Sequence, residues 1–444
     1  MFTLQGPINS SAFLLSNMMG MQIPYLYTSP KEELLACRES AWLGVALNIS
    51  PVYDVSGPDV IKFLNYICVN KDFAELEFGS SKHAIICNEK GQILADGVLI
   101  RVAEDRYRSY WLAPTIAYLV QSLGMDVEGN MVFDEFFMQI DGPKSLEIME
   151  RACQGNLHDL AFAQNKKVTV AGVEITIHRL GMSGCLAYEM HGPMQDIETV
   201  YGAILEAGKD LGIKQLGGNH YCRNHTQGGY PNQLIHYQYP VFSSGEEMAE
   251  YMRMNYMFGP RGTGIDYPFL GSASDDPENA FVTPFDIDWD NRINFDHEFM
   301  GKEALLEIKK NPPKKVVTLE WNPEDVGKVF ASQFSGSSVE PTDEIIEIGD
   351  GGDKPFIMSK VLADGKMIGM TSGRSRDYYH RKMLSLAFIA KEYAIAGKEL
   401  TVIWGTNPES AIEVRATVAA FPYYNEEYRN ETFDVAKIPE YQAS

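Results

Sequence analysis

The chain has 444 residues, 45% of them hydrophobic and 22% charged, enough for two to four domains with real cores and too many for a disulfide-dependent miniprotein. No apolar run approaches the roughly 18 residues that a membrane span needs. Acidic residues outnumber basic ones 60 to 38, and the resulting charge of −22 repels phosphate backbones and anionic lipid, so neither nucleic acid nor a membrane is an expected partner.

Near the start, residues 12–15 and 18–23 are apolar, but no Lys or Arg precedes Lys31. A signal-peptide charge pattern is therefore missing, and a cytoplasmic protein is expected. The first architectural pattern is a repeated turn: Ser56-Gly57-Pro58, Asp141-Gly142-Pro143 and His191-Gly192-Pro193 each follow a strand-like stretch and open a helix-like one. Proline's fixed φ suits a first helical turn, and Ile61, Leu64 and Ile67, then Leu146, Met149 and Cys153, follow at helical spacing. Residues 84–88 and 93–102, joined through Glu89-Lys90-Gly91, read as a hairpin, and 168–170 with 174–179 read as another. Past Asn311-Pro312-Pro313 the texture changes to strand-like runs at 315–321, 356–362, 367–371, 384–389, 400–404 and 412–418. These predict a separate all-β domain, a small barrel, carrying an acidic, glycine-rich loop at 340–353.

The familiar nucleotide and hydrolase signatures are missing. There is no GxxxxGK[ST] and no GxSxG, and Gly259-Pro260-Arg261-Gly262-Thr263-Gly264 lacks the strand–turn–helix setting of a dinucleotide loop. The six cysteines, Cys37, Cys68, Cys87, Cys153, Cys185 and Cys222, form no CxxC pair, and His220 and His225 stand apart from His191, so reduced thiols and no metal are expected. More informative is the stretch 217–239, read as irregular, where His220, Tyr221, Arg223, Asn224, His225, Gln227, Tyr230, Asn232, Gln233, His236, Tyr237 and Tyr239 crowd together. Aromatic faces can stack a flat heterocycle while phenol and amide groups read its edge, which makes this stretch a candidate binding wall. A tyrosine-rich packing loop between domains is the alternative.

Several separated segments resemble the glycine-cleavage T-protein (aminomethyltransferase) superfamily of folate-dependent one-carbon transferases. Arg179-Leu180-Gly181-Met182-Ser183-Gly184-Cys185-Leu186-Ala187-Tyr188-Glu189 is similar to the strand that ends in the family's pterin-binding glutamate. Phe295 to Leu305 resembles its F-x-G-K-E-A-L segment, and Gly365 to Gly373, Gly397-Lys398-Glu399-Leu400 and Phe421-Pro422-Tyr423-Tyr424 resemble its C-terminal barrel. Within the superfamily the likeness is strongest to the tetrahydrofolate-dependent O-demethylases of methoxylated aromatic acids such as vanillate and syringate. That likeness implies an α+β, three-domain cloverleaf: residues 1–310 as two interleaved α/β lobes that bind folate in a central cavity, and 311–444 as the barrel.

The same resemblance implies roles. Tyr25 and Tyr27 match substrate-side tyrosines, Gln139 a folate-binding glutamine, and Tyr221 and Tyr230 a catalytic tyrosine and a stacking aromatic that is Trp in those enzymes. At Asn48-Ile49-Ser50 the demethylases' catalytic histidine is absent; His220 or His225 is a substitute. For a donor's carboxylate, Arg101 or Arg108 is the candidate. Glu189 can accept two hydrogen bonds from a pterin's amino and ring N–H groups, and Gln139 can offer both a donor and an acceptor. Asp96 stands where T-proteins carry a functional aspartate, with hairpin capping as the alternative. Tyr221 is the expected general acid, and Arg223 or Arg261 the expected cation for a folate tail.

The expected function is thus transfer of a methyl group from a small donor, a methoxylated aromatic first, to tetrahydrofolate, giving 5-methyltetrahydrofolate. A methyl-corrinoid protein is another donor, and a monomer or homodimer is expected. The alternatives are T-protein chemistry, which yields methylene-tetrahydrofolate, and a non-catalytic folate binder like the iron–sulfur maintenance members, whose K-G-C-Y-x-G-Q-E motif is not found here.

Overall fold

The computed structural model describes residues 2–3, 6–18, 21–45, 52–78, 80–233, 235–255, 269–336, 340–342, 356–424 and 428–441. Asn48-Ile49-Ser50, Gly259 to Gly264 with Arg261, and most of the 340–353 loop lie outside these residues.

Two sheets carry the N-terminal two-thirds. A five-stranded antiparallel sheet runs in the order Ser81–Cys87, Ile93–Ala103, Arg106–Tyr110, Val52–Ser56, Glu128–Val132. One face buries Val55, Ala84, Ile86, Ala95 and Leu99 against the helices Val60–Ile67, Thr115–Ser122 and Glu246–Asn255. A six-stranded sheet runs in the order Asn165–Val170, Val173–His178, Ala187–Pro193, Glu135–Asp141, Trp42–Val45, Lys214–Leu216. Its Met138, Ile140, Tyr188 and Met190 pack beneath the helices Ser145–Cys153 and Ile197–Ala207. Trp42–Val45 precedes the whole five-stranded sheet in the chain yet pairs within the six-stranded one, so the two lobes interleave.

Two of the Gly-Pro pairs, Gly57-Pro58 and Gly142-Pro143, form the turn between a strand and a helix, whereas Gly192-Pro193 ends the strand Ala187–Pro193, and the 3-10 turn Met194–Asp196 leads into the helix Ile197–Ala207. In the first two the glycine is obligatory: Gly57 and Gly142 have φ of 126° and 138°, and a Cβ at Gly142 would lie 2.3 Å from the Ser40 carbonyl oxygen. Both expected hairpins form, with Ile85 opposite Asp96 in the first and Val168 opposite Ile175 in the second.

The C-terminal strands close a six-stranded barrel in the order Lys314–Trp321, Lys382–Ala390, Lys366–Asp377, Ser359–Ala363, Glu399–Trp404, Ile412–Ala419. Trp321, Trp404, Leu319, Val402 and Val414 fill its core. The all-β expectation overlooks one helix, Pro323–Ser332. Its signals are local: the Asn322 side chain accepts from the N–H groups of Glu324 and Asp325, and Pro323 opens the first turn.

A second correction concerns the 217–239 stretch, of which Gly218–Gly228 is helical. Among its described side chains the helix has no exposed face to create an apolar period: His220, Asn224, His225, Thr226 and Gln227 are all buried. Its N-terminal end is held by Glu33, whose Oε2 accepts from Gly217 N at 2.8 Å while Oε1 accepts from Tyr27 N and Thr28 N at 2.7 and 2.8 Å. Its far side meets the barrel, where Thr226 Oγ1 donates to the Gly373 carbonyl at 2.8 Å. This helix therefore joins the N-terminal arm to the barrel. Among the described residues, no helix is long and apolar enough to cross a membrane.

Candidate active site

The site grows out of strand register. Gln139 lies opposite Glu189, and Glu189 opposite His178, so these three side chains form one row across adjacent strands. The neighbouring row is Phe137 opposite His191, and the next is Asp141 opposite Ala187. Alternation sends Met138, Ile140, Tyr188 and Met190 into the core and turns the polar set to the other face.

Glu189 is half-buried and has no side-chain hydrogen bond among the described residues. Burial alone pushes its carboxyl from an ordinary 4.5 up to about 7. Gln139 is fully buried; its Nε2 donates to Asp141 Oδ1 at 2.7 Å, and Tyr221 Oη donates to its Oε1 at the long distance of 3.5 Å. Asp141 is itself pushed well above the carboxylate range, mainly by burial, with the nearby Cys185 and Glu189 adding to the effect. This wall thus presents a buried carboxyl held by the Gln139 amide, the amide itself and one unpartnered carboxyl. An acceptor left open in this way fits the N–H edge of a pterin, to which Glu189 and Gln139 would bind.

The opposite arrangement surrounds Asp96, on the hairpin strand Ile93–Ala103. Its Oδ2 is 3.0 Å from His83 Nε2, its Oδ1 accepts from Tyr239 Oη at 2.8 Å and from Tyr237 Oη, and its backbone N–H donates to Tyr239 Oη at 2.9 Å. Burial raises the Asp96 carboxyl, but His83 and the two phenols outweigh it and hold the group below its usual range. Burial and the positive charge of Arg292 lower His83 despite Asp96, so the contact is a neutral imidazole donating to a carboxylate. Gly97 is required here, because a Cβ would lie 2.1 Å from the Tyr110 carbonyl oxygen. The adjoining Trp111 takes φ of 71°, a strained conformation for a bulky residue.

Aromatic rings connect the two walls. Tyr230 lies 5.6 Å from Trp289 and 6.0 Å from His225, which meets Tyr221 edge-on at 5.4 Å; His83 stands edge-on to Trp289 at 4.6 Å. Arg292 lies over Trp289 at 5.0 Å.

The structure therefore brings together Glu189, Gln139 and Tyr221, and separately Asp96 with Tyr230. Of the expected histidines it brings His225 against the rings of Tyr221 and Tyr230, while Tyr25, Tyr27, His220, Arg101 and Arg108 are engaged elsewhere. Tyr27 donates to the Ile8 carbonyl at 2.8 Å inside its lobe, and His220 is fully buried with Nε2 at 3.9 Å from Glu33. Arg101 is tied to the carbonyls of Ala74 and Glu104, both at 2.9 Å. Tyr25, half-buried, meets the Gly217 turn through its backbone: a Cβ at Gly217 would lie 2.3 Å from the Tyr25 carbonyl oxygen. Arg108 is bidentate to Asp54 at 2.8 and 2.9 Å and also pairs with Glu135, so its charge is already balanced. His83, Trp289 and Arg292 have no role in the sequence reading. The hairpin register was the available signal for His83, since Ile85 faces Asp96 and His83 lies two residues along the same face.

Comparison with known proteins agrees with this architecture. Residues 10–226 match the GCVT N-terminal domain model. The chain is 42% identical to a sesamin methylene transferase of Sinomonas sp., over 98% of both chains, and 28% identical to a syringate O-demethylase of Sphingobium sp., over 90% of both. Its fold is similar to that of the glycine cleavage system aminomethyltransferase T of Bartonella henselae, with a TM-score of 0.66, 17% identity and coverage of 95% of this chain and 96% of that one. The interleaved lobes, the closed barrel and this full-length similarity establish that the chain belongs to the aminomethyltransferase (GCVT) family and is a tetrahydrofolate-dependent one-carbon transferase.

Proposed function

We propose that the enzyme moves a methyl group from the oxygen of a methoxylated aromatic compound to tetrahydrofolate, giving 5-methyltetrahydrofolate and a phenol. The observation that carries this reading is the pair of unlike carboxyl groups. Glu189 is an open acceptor raised to about 7, suited to pterin N–H donors, while Asp96 is an ionised group whose acceptor capacity the protein itself has filled. In this assignment Glu189 and Gln139 hold the pterin, and Tyr221 steadies the Gln139 amide. Arg292 supplies the positive charge for the anionic tail, since Arg223 is buried within its helix. The rings of Tyr230 and Trp289 flank an aromatic reactant. Holding two reactants in line can contribute roughly 7–11 kcal/mol to the rate, which asks little covalent chemistry of the side chains.

A second reading is methylene transfer, favoured by the 42% identity to a sesamin methylene transferase; the syringate O-demethylase relative favours the first. The two differ in the folate product. Incubation with tetrahydrofolate and either methoxylated aromatic acids or sesamin, followed by mass spectrometry of the folate, decides between them. 5-Methyltetrahydrofolate supports methyl transfer and methylene-tetrahydrofolate supports the second reading. No folate product from any aromatic donor rejects both. In either reading residues 1–310 form the folate-binding unit and 311–444 the barrel that closes it.

A further inference from the structure

His83 Nε2 is shared between two oxygens, Asp96 Oδ2 at 3.0 Å and Tyr230 Oη at 3.4 Å. Asp96 is ionised and His83 neutral, so the imidazole must place its single proton on Nε2, pointing at the carboxylate; the other tautomer would set a lone pair against a negative charge. That choice leaves His83 Nδ1 as a buried acceptor with no partner among the described residues, a cost accepted only because the Nε2 contact fixes the tautomer. A nitrogen that carries a proton has no lone pair to receive another. Tyr230 therefore cannot donate to His83, and its hydroxyl oxygen can only accept from that side. Burial and the Asp96 charge raise the Tyr230 phenol, so it keeps its own proton. Tyr230 is half-buried, and its hydroxyl has no other hydrogen-bond partner among the described residues, so no protein acceptor claims that proton.

We propose that His83 and Asp96 are positioning residues that aim the Tyr230 hydroxyl proton, and that Tyr230 is the hydrogen-bond donor to the oxygen that leaves the one-carbon unit. This rests on the reading of the protein as an aryl-ether one-carbon transferase. It moves the acid role from Tyr221, whose hydroxyl is directed at Gln139, to Tyr230. In the net step the donor's carbon–oxygen bond breaks and a carbon–nitrogen bond to the folate forms. Tyr230 delivers a proton to the departing oxygen, and the proton released by the folate nitrogen restores the phenol, so no outside acid or oxidant is needed.

The first test needs no substrate. Nitrogen-15 NMR of the histidine-labelled protein, assigned with His83→Gln, should show His83 neutral and protonated on Nε2 at pH 7, with Asp96→Asn disturbing that state. An Nδ1-protonated or charged His83 overturns the proposal, whatever the enzyme's substrate proves to be. The second test is kinetic. Tyr230→Phe should lower kcat by about 10²–10⁴-fold with folate affinity changed less than threefold. His83→Phe should do the same, His83→Gln, which keeps an N–H, should recover part of the loss, and His83→Phe with Tyr230→Phe should be no worse than Tyr230→Phe alone. Additive losses, or equal losses in His83→Gln and His83→Phe, would overturn the relay through Tyr230. Absence of turnover in the parent protein would instead count against the proposed function, leaving the NMR result standing.

Discussion

Asp96 and Glu189 are both buried carboxyl groups on sheet faces, yet they end in opposite electrostatic states. Around Asp96 the protein supplies three side-chain donors, and the group is held below its ordinary range. Around Glu189 it supplies none among the described residues, and the group rises to about 7. Burial is common to both, so the difference lies in the polar partners, His83 and two phenols, that surround Asp96 and that Glu189 lacks. One carboxyl is completed by the fold and the other, in the proposed assignment, by the pterin.

The strongest way to break this contrast is Glu189→Gln. It exchanges one acceptor for a donor facing other donors and should raise the dissociation constant for tetrahydrofolate roughly 10- to 100-fold, the ~1.5–3 kcal/mol of a charge-assisted hydrogen bond. Isothermal calorimetry would measure it; unchanged affinity would remove Glu189 from the folate site. A sharper form uses pH. The ionised carboxylate is the better acceptor, so folate affinity in the parent should fall as pH drops through about 7, by up to about tenfold per unit, and the slope should vanish in Glu189→Gln. The same raised value predicts that Glu189 costs folding stability as pH climbs from 4.5 to about 7, so Glu189→Gln should melt higher than the parent above neutrality.

Asp96→Asn tests the other side. It puts an amide where three donors converge and should cost about 1–3 kcal/mol, seen as a fall of a few degrees in the thermal midpoint at pH 7. The Asp96 value is depressed, so its ionised form contributes stability that is present above the ordinary 3.8 and lost as pH falls below it. Asp96→Asn should therefore narrow its deficit in acid; a deficit that does not change with pH would refute the assignment. The smallest effect is expected for Tyr221→Phe, which removes the long 3.5 Å contact to Gln139 and should weaken folate binding less than about fivefold.

Much of this was legible in the sequence for identifiable reasons. Two Gly-Pro turns announced strand-to-helix junctions because both residues have fixed backbone roles, and the barrel strands were marked by runs of strand-forming residues. Gln139 and Glu189 were found separately, each on a strand shortly before a Gly-Pro pair, and the structure makes them direct partners. The helix Gly218–Gly228 was illegible because its buried side chains are polar, so no stripe distinguishes inside from outside. His220 was attractive for its neighbours in sequence, yet helical geometry turns it toward Glu33. Arg101 and Arg108 both carried the right charge, but backbone carbonyls claim one and carboxylates the other, and nothing in composition reveals such commitments. His83 was passed over because thirteen positions separate it from Asp96, a distance that only the hairpin's bulged pairing closes.

The direct pairing of Gln139 with Glu189 makes the proposed recognition wall intolerant of length change. One residue added or removed between Glu135 and Gln139 would rotate the amide into the lobe's hydrocarbon interior while the glutamate stayed in place, dividing the two halves of the grip. Specificity for new donors is therefore best sought by varying side chains in the aromatic span between Tyr230 and Trp289, with these two strands kept at their present length.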